Sequence, residues 1–154
     1  MPGFDRRLGL DGPRSLGEDA LESSLVEVRT GSVPVVVDIT NRIAEFCQGK
    51  GDGLVNVFLP HATAGLALLE TGSGTEEDLL VAVQRLLPGS HSYVHRHGSP
   101  GHGGDHVLPA FVSPSLTIPV LAGQLALGTW QSVVLVDPNR DNVTRQLRLT
   151  FVSA

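Results

Sequence analysis

Arg145-Gln146-Leu147-Arg148-Leu149-Thr150-Phe151-Val152 alternates polar and apolar residues almost without a break. A β-strand sends successive side chains to opposite faces, so this run predicts a strand with one face in a core and one in water. Such a strand needs partners on its edges and an apolar layer over its inner face. Upstream, Leu125 to Asp137 predicts a strand pair interrupted at Gly128, Gly123-Gln124 a turn, and residues 107 to 121 one or two further strands. Leu54 to Leu59 predicts another strand, stopped by Pro60. Leu25 to Thr30 and Val33 to Ile39 are β-branched runs separated by Gly31-Ser32, which predicts a hairpin with Pro34 at a sheet edge.

Two helices fit between these strands. Thr40 is placed to cap one carrying Ile43, Ala44, Phe46 and Cys47 and ending at Gly49. Thr75 is placed to cap the other, with Glu76, Glu77 and Asp78 in its first turn against the helix dipole and an end at Pro88-Gly89. Strands outnumber helices and do not alternate with them, so a doubly wound parallel sheet is excluded. The expectation is an α+β domain of antiparallel or mixed sheets, closed into a β-sandwich or barrel-like body with about two helices alongside. Residues 1–22 mix Gly, Pro and charges without a period and are expected to form an N-terminal tail or arm, leaving 23–154 as a single domain.

Composition bounds the function. At 154 residues the chain can bury about 68–70% of its unfolded surface, enough for a core without disulfides. The net charge is −5 and the only lysine is Lys50, so no basic stripe exists to neutralise a row of phosphates and nucleic-acid binding is not expected. No apolar run approaches the roughly 18 residues of a membrane span. One cysteine, Cys47, rules out an internal disulfide and is compatible with a reducing compartment, so a soluble cytoplasmic protein is expected.

The chemistry rests on histidine. His91, His95, His97, His102 and His106 crowd into sixteen positions, and His61 follows a strand-ending proline. Imidazole titrates near neutrality and is the commonest metal ligand, so the cluster points to proton transfer, anion binding or a metal, and spacing alone does not choose. Neither H-E-x-x-H nor C-x-x-C is present. His91, His97 and His102 read as a solvent-exposed, glycine-flanked loop, and His61, His95 and His106 as the functional trio. Gly98 to Asp105 is glycine-rich but lacks phosphate-loop spacing, so it reads as a mobile loop. Thr63 offers a hydroxyl beside His61, Glu70 a carboxylate, and Arg145 a fork for a carboxylate or phosphate. Trp130, the sole tryptophan, reads as core or subunit contact.

These residues carry a resemblance. His61, Thr63 and Ala64 after a strand, Glu70, Tyr93 with His95, His106, Ser115-Leu116-Thr117-Ile118-Pro119-Val120 and Leu125-Ala126-Leu127-Gly128-Thr129-Trp130-Gln131 resemble the YjbQ family, also called secondary thiamine-phosphate synthase-like proteins. Asp137 and Arg145 match a family acid and arginine, whereas Leu69 and Ser73 stand where the family usually has Asn and often Asp. The resemblance implies a homotrimer with histidine-containing clefts near subunit boundaries. It also implies a transferase of weak or secondary activity, joining a pyrimidine pyrophosphate to a thiazole phosphate. In that reading His61, Glu70, His95 and His106 are catalytic, with Glu70 orienting a histidine, while Thr63, Gln131 and Arg145 hold a small phosphorylated molecule. The cofactor is left open, the candidate being a divalent metal, Mg or Zn, on His61, His95 and His106. The alternative is a non-catalytic trimer binding a metal or small phosphorylated ligand through the same histidines, and metal-assisted hydrolysis ranks behind both.

Overall fold

The computed structural model describes residues 21–95 and 97–154. Most of the expected N-terminal arm therefore lies outside the described residues, and Leu21 and Glu22 already belong to the first strand. The elements run β1 (Leu21–Arg29), β2 (Val35–Asp38), α1 (Thr40–Cys47), β3 (Gly53–Phe58), β4 (Gly65–Leu69), α2 (Thr75–Leu86), β5 (Ser115–Leu121), β6 (Gln124–Leu125), β7 (Ser132–Asp137) and β8 (Thr144–Ser153). Short 3-10 turns at His102–Gly104 and Leu108–Ala110 punctuate the long α2–β5 connection.

β8 is the strand its alternation predicts. Arg145, Leu147, Leu149 and Phe151 are buried while Gln146 and Arg148 are exposed. It lies between β1 and β3, antiparallel to both, in a five-stranded sheet of order β1-β8-β3-β5-β6. A second, three-stranded sheet of order β2-β7-β4 is also antiparallel throughout. Leu147, Leu149, Phe151, Val55 and Val57 of the first sheet pack with Val133, Leu135 and Leu66 of the second, and Ile43 and Cys47 of α1 join the same cluster. The α+β expectation with sandwich-like antiparallel sheets and two α-helices holds.

β7 is buried on both faces from Val133 to Asp137, because Val133 and Leu135 enter that shared core while Val134 and Val136 are covered on the opposite face. A charge at its end therefore needs a partner, which matters for the site below.

Three local expectations are corrected. The first two strands form no hairpin: β1 pairs with β8 and β2 with β7, in different sheets. Gly31, at φ 81°, turns the chain between the sheets, and its N–H and that of Thr30 both donate to Val143 O. Thr40 does not cap α1 but begins it. Its N–H donates to Asp38 Oδ1 at 2.8 Å, and its hydroxyl accepts from the β7 backbone at Val133 N, also at 2.8 Å. Thr75 likewise opens α2 from within, with left-handed Gly74 at the cap and Glu76 Oε1 accepting from Gly72 N at 2.8 Å.

Candidate metal centre

The glycine- and histidine-rich connection after α2 is folded. Tyr93 packs against the first 3-10 turn, where a Cβ on Gly103 or Gly104 would come within 2.5 or 2.8 Å of the tyrosine side chain. Only glycine lets that turn seat on the ring, so His102, Gly103 and Gly104 are all buried. The turn begins at His102 and the chain continues through bends to His106, setting these two rings four residues apart with centroids 4.6 Å from each other. His95 stands 4.0 Å from His106 and 5.2 Å from His102. His97 joins at 4.0 Å from His95.

One ring nitrogen from each of His95, His97, His102 and His106 can be chosen so that all lie within 4.8 Å of one another. The Nε2 atoms of His95, His102 and His106 are buried and have no hydrogen-bond partner. An unpaired buried nitrogen is costly, and three in one cluster of rings call for a partner. His102 Nδ1 sits 3.2 Å from Asp141 Oδ2 and 3.3 Å from Asn139 Nδ2; the tautomer protonated on Nδ1 would give its proton to the carboxylate and leave Nε2 as a lone pair. Asn139, almost fully buried, braces this arrangement: its Nδ2 donates to Asp105 Oδ2 at 3.0 Å and lies 3.3 Å from His102 Nδ1, and its Oδ1 accepts from Asp141 N at 3.0 Å.

The electrostatics favour neutral rings. Burial, followed by the neighbouring His97 and His102, pushes His95 below the ordinary imidazole range. Burial and then His95, His102 and His97 do the same for His106. Neutral, desolvated imidazoles are the form that coordinates metal. Burial raises Asp105, while the hydrogen bonds from Ser99 hold Asp141 low and ionised.

The Arg145–Asp137 pair lies beside this cluster. Arg145 donates from Nε to Asp137 Oδ2 at 2.7 Å and from Nη2 to Oδ1 at 2.8 Å, with the arginine 1% and the aspartate 0% exposed. Nη2 also donates to Thr63 Oγ1 at 3.2 Å, and Asp137 Oδ1 accepts from Asn139 N at 3.1 Å. A hydrogen-bonded path thus runs from Thr63 through Arg145 and Asp137 to Asn139, which stands beside His102.

The trio expected from sequence is only partly assembled. His95 and His106 meet, but His61 is not among the clustered rings. Its Nε2 accepts from Gln146 N at 3.0 Å, which fixes the proton on Nδ1, and burial together with the Arg145 guanidinium holds its pKa below the ordinary range. His61 stands instead on the wall of a cleft of about 510 Å³ shared with Thr63, Arg145, His97, His102 and His106. Glu70 is exposed, accepts from Ser73 Oγ at 3.4 Å and does not line this cleft, so no histidine is oriented by it. Gln131, also exposed, caps its own turn by accepting from Gly128 N at 2.8 Å. His97 and His102, which the sequence places in a solvent-exposed loop, belong to the cluster, with His102 only 8% exposed. The spacing His95-x-His97 followed by His102-x-x-x-His106 carried that signal; the supporting Asn139 and Asp141 had none.

The two antiparallel sheets define an architecture found in other proteins. The UPF0047 protein YjbQ-like family model matches residues 24–154, and the chain belongs to this family. A UPF0047 protein of Mycobacterium tuberculosis is 59% identical over 117 residues, covering 76% of this chain and 88% of that protein. A relative from Archaeoglobus fulgidus is 33% identical over 110 residues, 71% of this chain and 86% of the other. Among solved structures, a YbjQ-like protein of unknown function from Sulfolobus solfataricus superposes with a TM-score of 0.80 at 24% identity, covering 87% and 98% of the two chains, which speaks to the fold alone. A conserved hypothetical protein from Thermus thermophilus reaches 0.72 at 30% identity, covering 82% and 97%.

These relatives overturn the transferase expectation. The family carries no established function, the matched structure is of a protein of unknown function, and nothing among them indicates thiamine-phosphate synthesis. The geometry gives a physical reason to abandon it. The expected catalytic set is split, with Glu70 turned to solvent and His61 outside the ring cluster.

Proposed function

We propose that this protein binds a divalent transition metal, of the zinc type, at His95, His102 and His106 with His97 beside them. The observation that carries the reading is that ring nitrogens of four histidines come within 4.8 Å of one another while the Nε2 atoms of three of them are buried without a partner. Imidazole sets suit zinc, copper, nickel or iron, whereas magnesium prefers oxygen ligands, so zinc replaces the Mg-or-Zn alternative. The carboxylate of Asp141 behind His102 supplies the support that metal-bound histidines commonly have. Equilibrium dialysis of the full chain against zinc, followed by elemental analysis, tests this. One zinc per chain is expected, lost in a His102→Ala, His106→Ala double variant that keeps its circular dichroism. Absence of stoichiometric metal in folded protein, or equal metal in the variant, overturns it.

Self-association as the homotrimer that the family resemblance implied belongs to the same proposal. It draws support from the exposed apolar residues Trp130, Phe111 and Leu121, at 74%, 60% and 60% exposure, which a monomer would leave in water. Light scattering checks it. A cytoplasmic location is supported by the free, buried thiol of Cys47. Among the described residues no helix is long and apolar enough to cross a membrane.

A further inference from the structure

We propose that the metal, on the reading just given, keeps one coordination position turned into the adjoining cleft, and that this position takes a small oxyanion held at its other end by His61.

The four imidazoles are not equivalent. His95, His102 and His106 bring buried Nε2 atoms that lack a partner, whereas the His97 ring is exposed and stands on the cleft wall. Three fixed histidines and one position reachable from solvent is the arrangement of zinc sites that exchange a ligand, while purely structural sites are closed by four fixed donors. Gly98 keeps the approach clear. A Cβ there would sit 2.4 Å from His102 Nε2, in the space beside the coordinating atom.

The opposite wall selects the charge of the ligand. Because His61 Nε2 already accepts the Gln146 N–H, its Nδ1 must donate. Thr63 Oγ1 accepts from Arg145, which leaves its own proton to give away. Among the described residues, the one carboxylate on the cleft wall is Asp141, and its Oδ2 is engaged by Ser99 N and Oγ, each at 3.2 Å, and by His102. Donors facing a divalent cation across a small polar cleft fit an anion whose oxygens bridge the two. At about 510 Å³ the space suits a small molecule bearing a carboxylate or a phosphate.

Cobalt(II) in place of zinc makes the coordination sphere visible through its absorption bands. The full-length cobalt protein, titrated in parallel with acetate, inorganic phosphate and glycerol phosphate, is expected to show a saturable spectral change with at least one of them. A response to acetate alone assigns a carboxylate ligand. A response to both phosphates assigns the phosphate ion or group, and one to glycerol phosphate alone a phosphoryl group on a larger molecule. His61→Phe is expected to retain one cobalt per chain and to weaken the anion response about tenfold, the effect of one lost hydrogen bond to a charged group. Stoichiometric cobalt with a spectrum indifferent to all three anions overturns the open position, a response as strong in His61→Phe overturns the hold by His61, and both leave the metal reading standing. Failure to bind cobalt at all overturns the metal reading and this inference with it.

Discussion

His102 shows how a single ring acquires its role. Its Nδ1 faces Asp141 and Asn139 and its Nε2 is buried without a partner in the histidine cluster, so with the proton on Nδ1 the ring has one lone pair and one direction to offer it. Asp141→Asn removes the charge behind that ring and keeps the shape. Zinc affinity is expected to fall 10–100-fold, the usual cost of losing such support, in a competition titration with a coloured chelator. Protons compete for the same lone pairs. His61, His95 and His106 are all held below the ordinary 6.5 in the folded chain. The unfolded chain therefore takes up protons first as pH falls. The stability these rings contribute in the metal-free protein is fully present above 6.5 and is lost as pH falls through their depressed folded values. Urea midpoints measured in chelator from pH 8 downward are expected to hold and then drop. A midpoint that rises on acidification contradicts this. Arg145 is a different case. Its fork is spent on Asp137 in the interior, and Arg145→Met is expected to destabilise by about 3–5 kcal/mol by stranding a buried carboxylate, with the Asp137→Asn, Arg145→Met pair recovering part of it.

At the scale of elements, β8 was legible because its alternation is uninterrupted and both its edges are covered. The same alternation put Arg145 in phase with Leu147 and Leu149, so the sequence already implied a buried guanidinium in need of an acid. Reading it as a fork for a ligand's carboxylate or phosphate overlooked that phase. Truncation of Leu149, fully buried at the centre of the shared core, is expected to cost about 2–5 kcal/mol in Leu149→Ala by denaturant titration. The Gly31 turn misled because hairpin chemistry fixes a reversal but not which edge the returning strand finds, and here the two strands go to different sheets. The histidine connection misled for another reason. Its glycines look like chain freedom, yet Gly103 and Gly104 exist to let Tyr93 close over the turn, a long-range fit with no local signature. Asn139 and Asp141, on the loop between β7 and β8, reach His102 across more than thirty positions and were equally invisible.

For the molecule as a whole, the cluster is held jointly by the α2–β5 connection and the β7–β8 loop, so on the proposed reading metal binding would be coupled to folding. Anything that binds only the folded chain stabilises it in proportion to saturation, and a hundredfold excess over the dissociation constant contributes about 2.7 kcal/mol. Thermal melts are therefore expected to shift upward with zinc and return with chelator, and not to shift in the His102→Ala, His106→Ala variant. The most direct test of the metal centre is zinc K-edge absorption of the loaded full-length protein. Nitrogen neighbours at about 2.0–2.1 Å, with the outer-shell scattering of three or four imidazoles, are the expected result. An oxygen-only shell without imidazole scattering, or a spectrum unchanged when His102 and His106 are replaced, would contradict it.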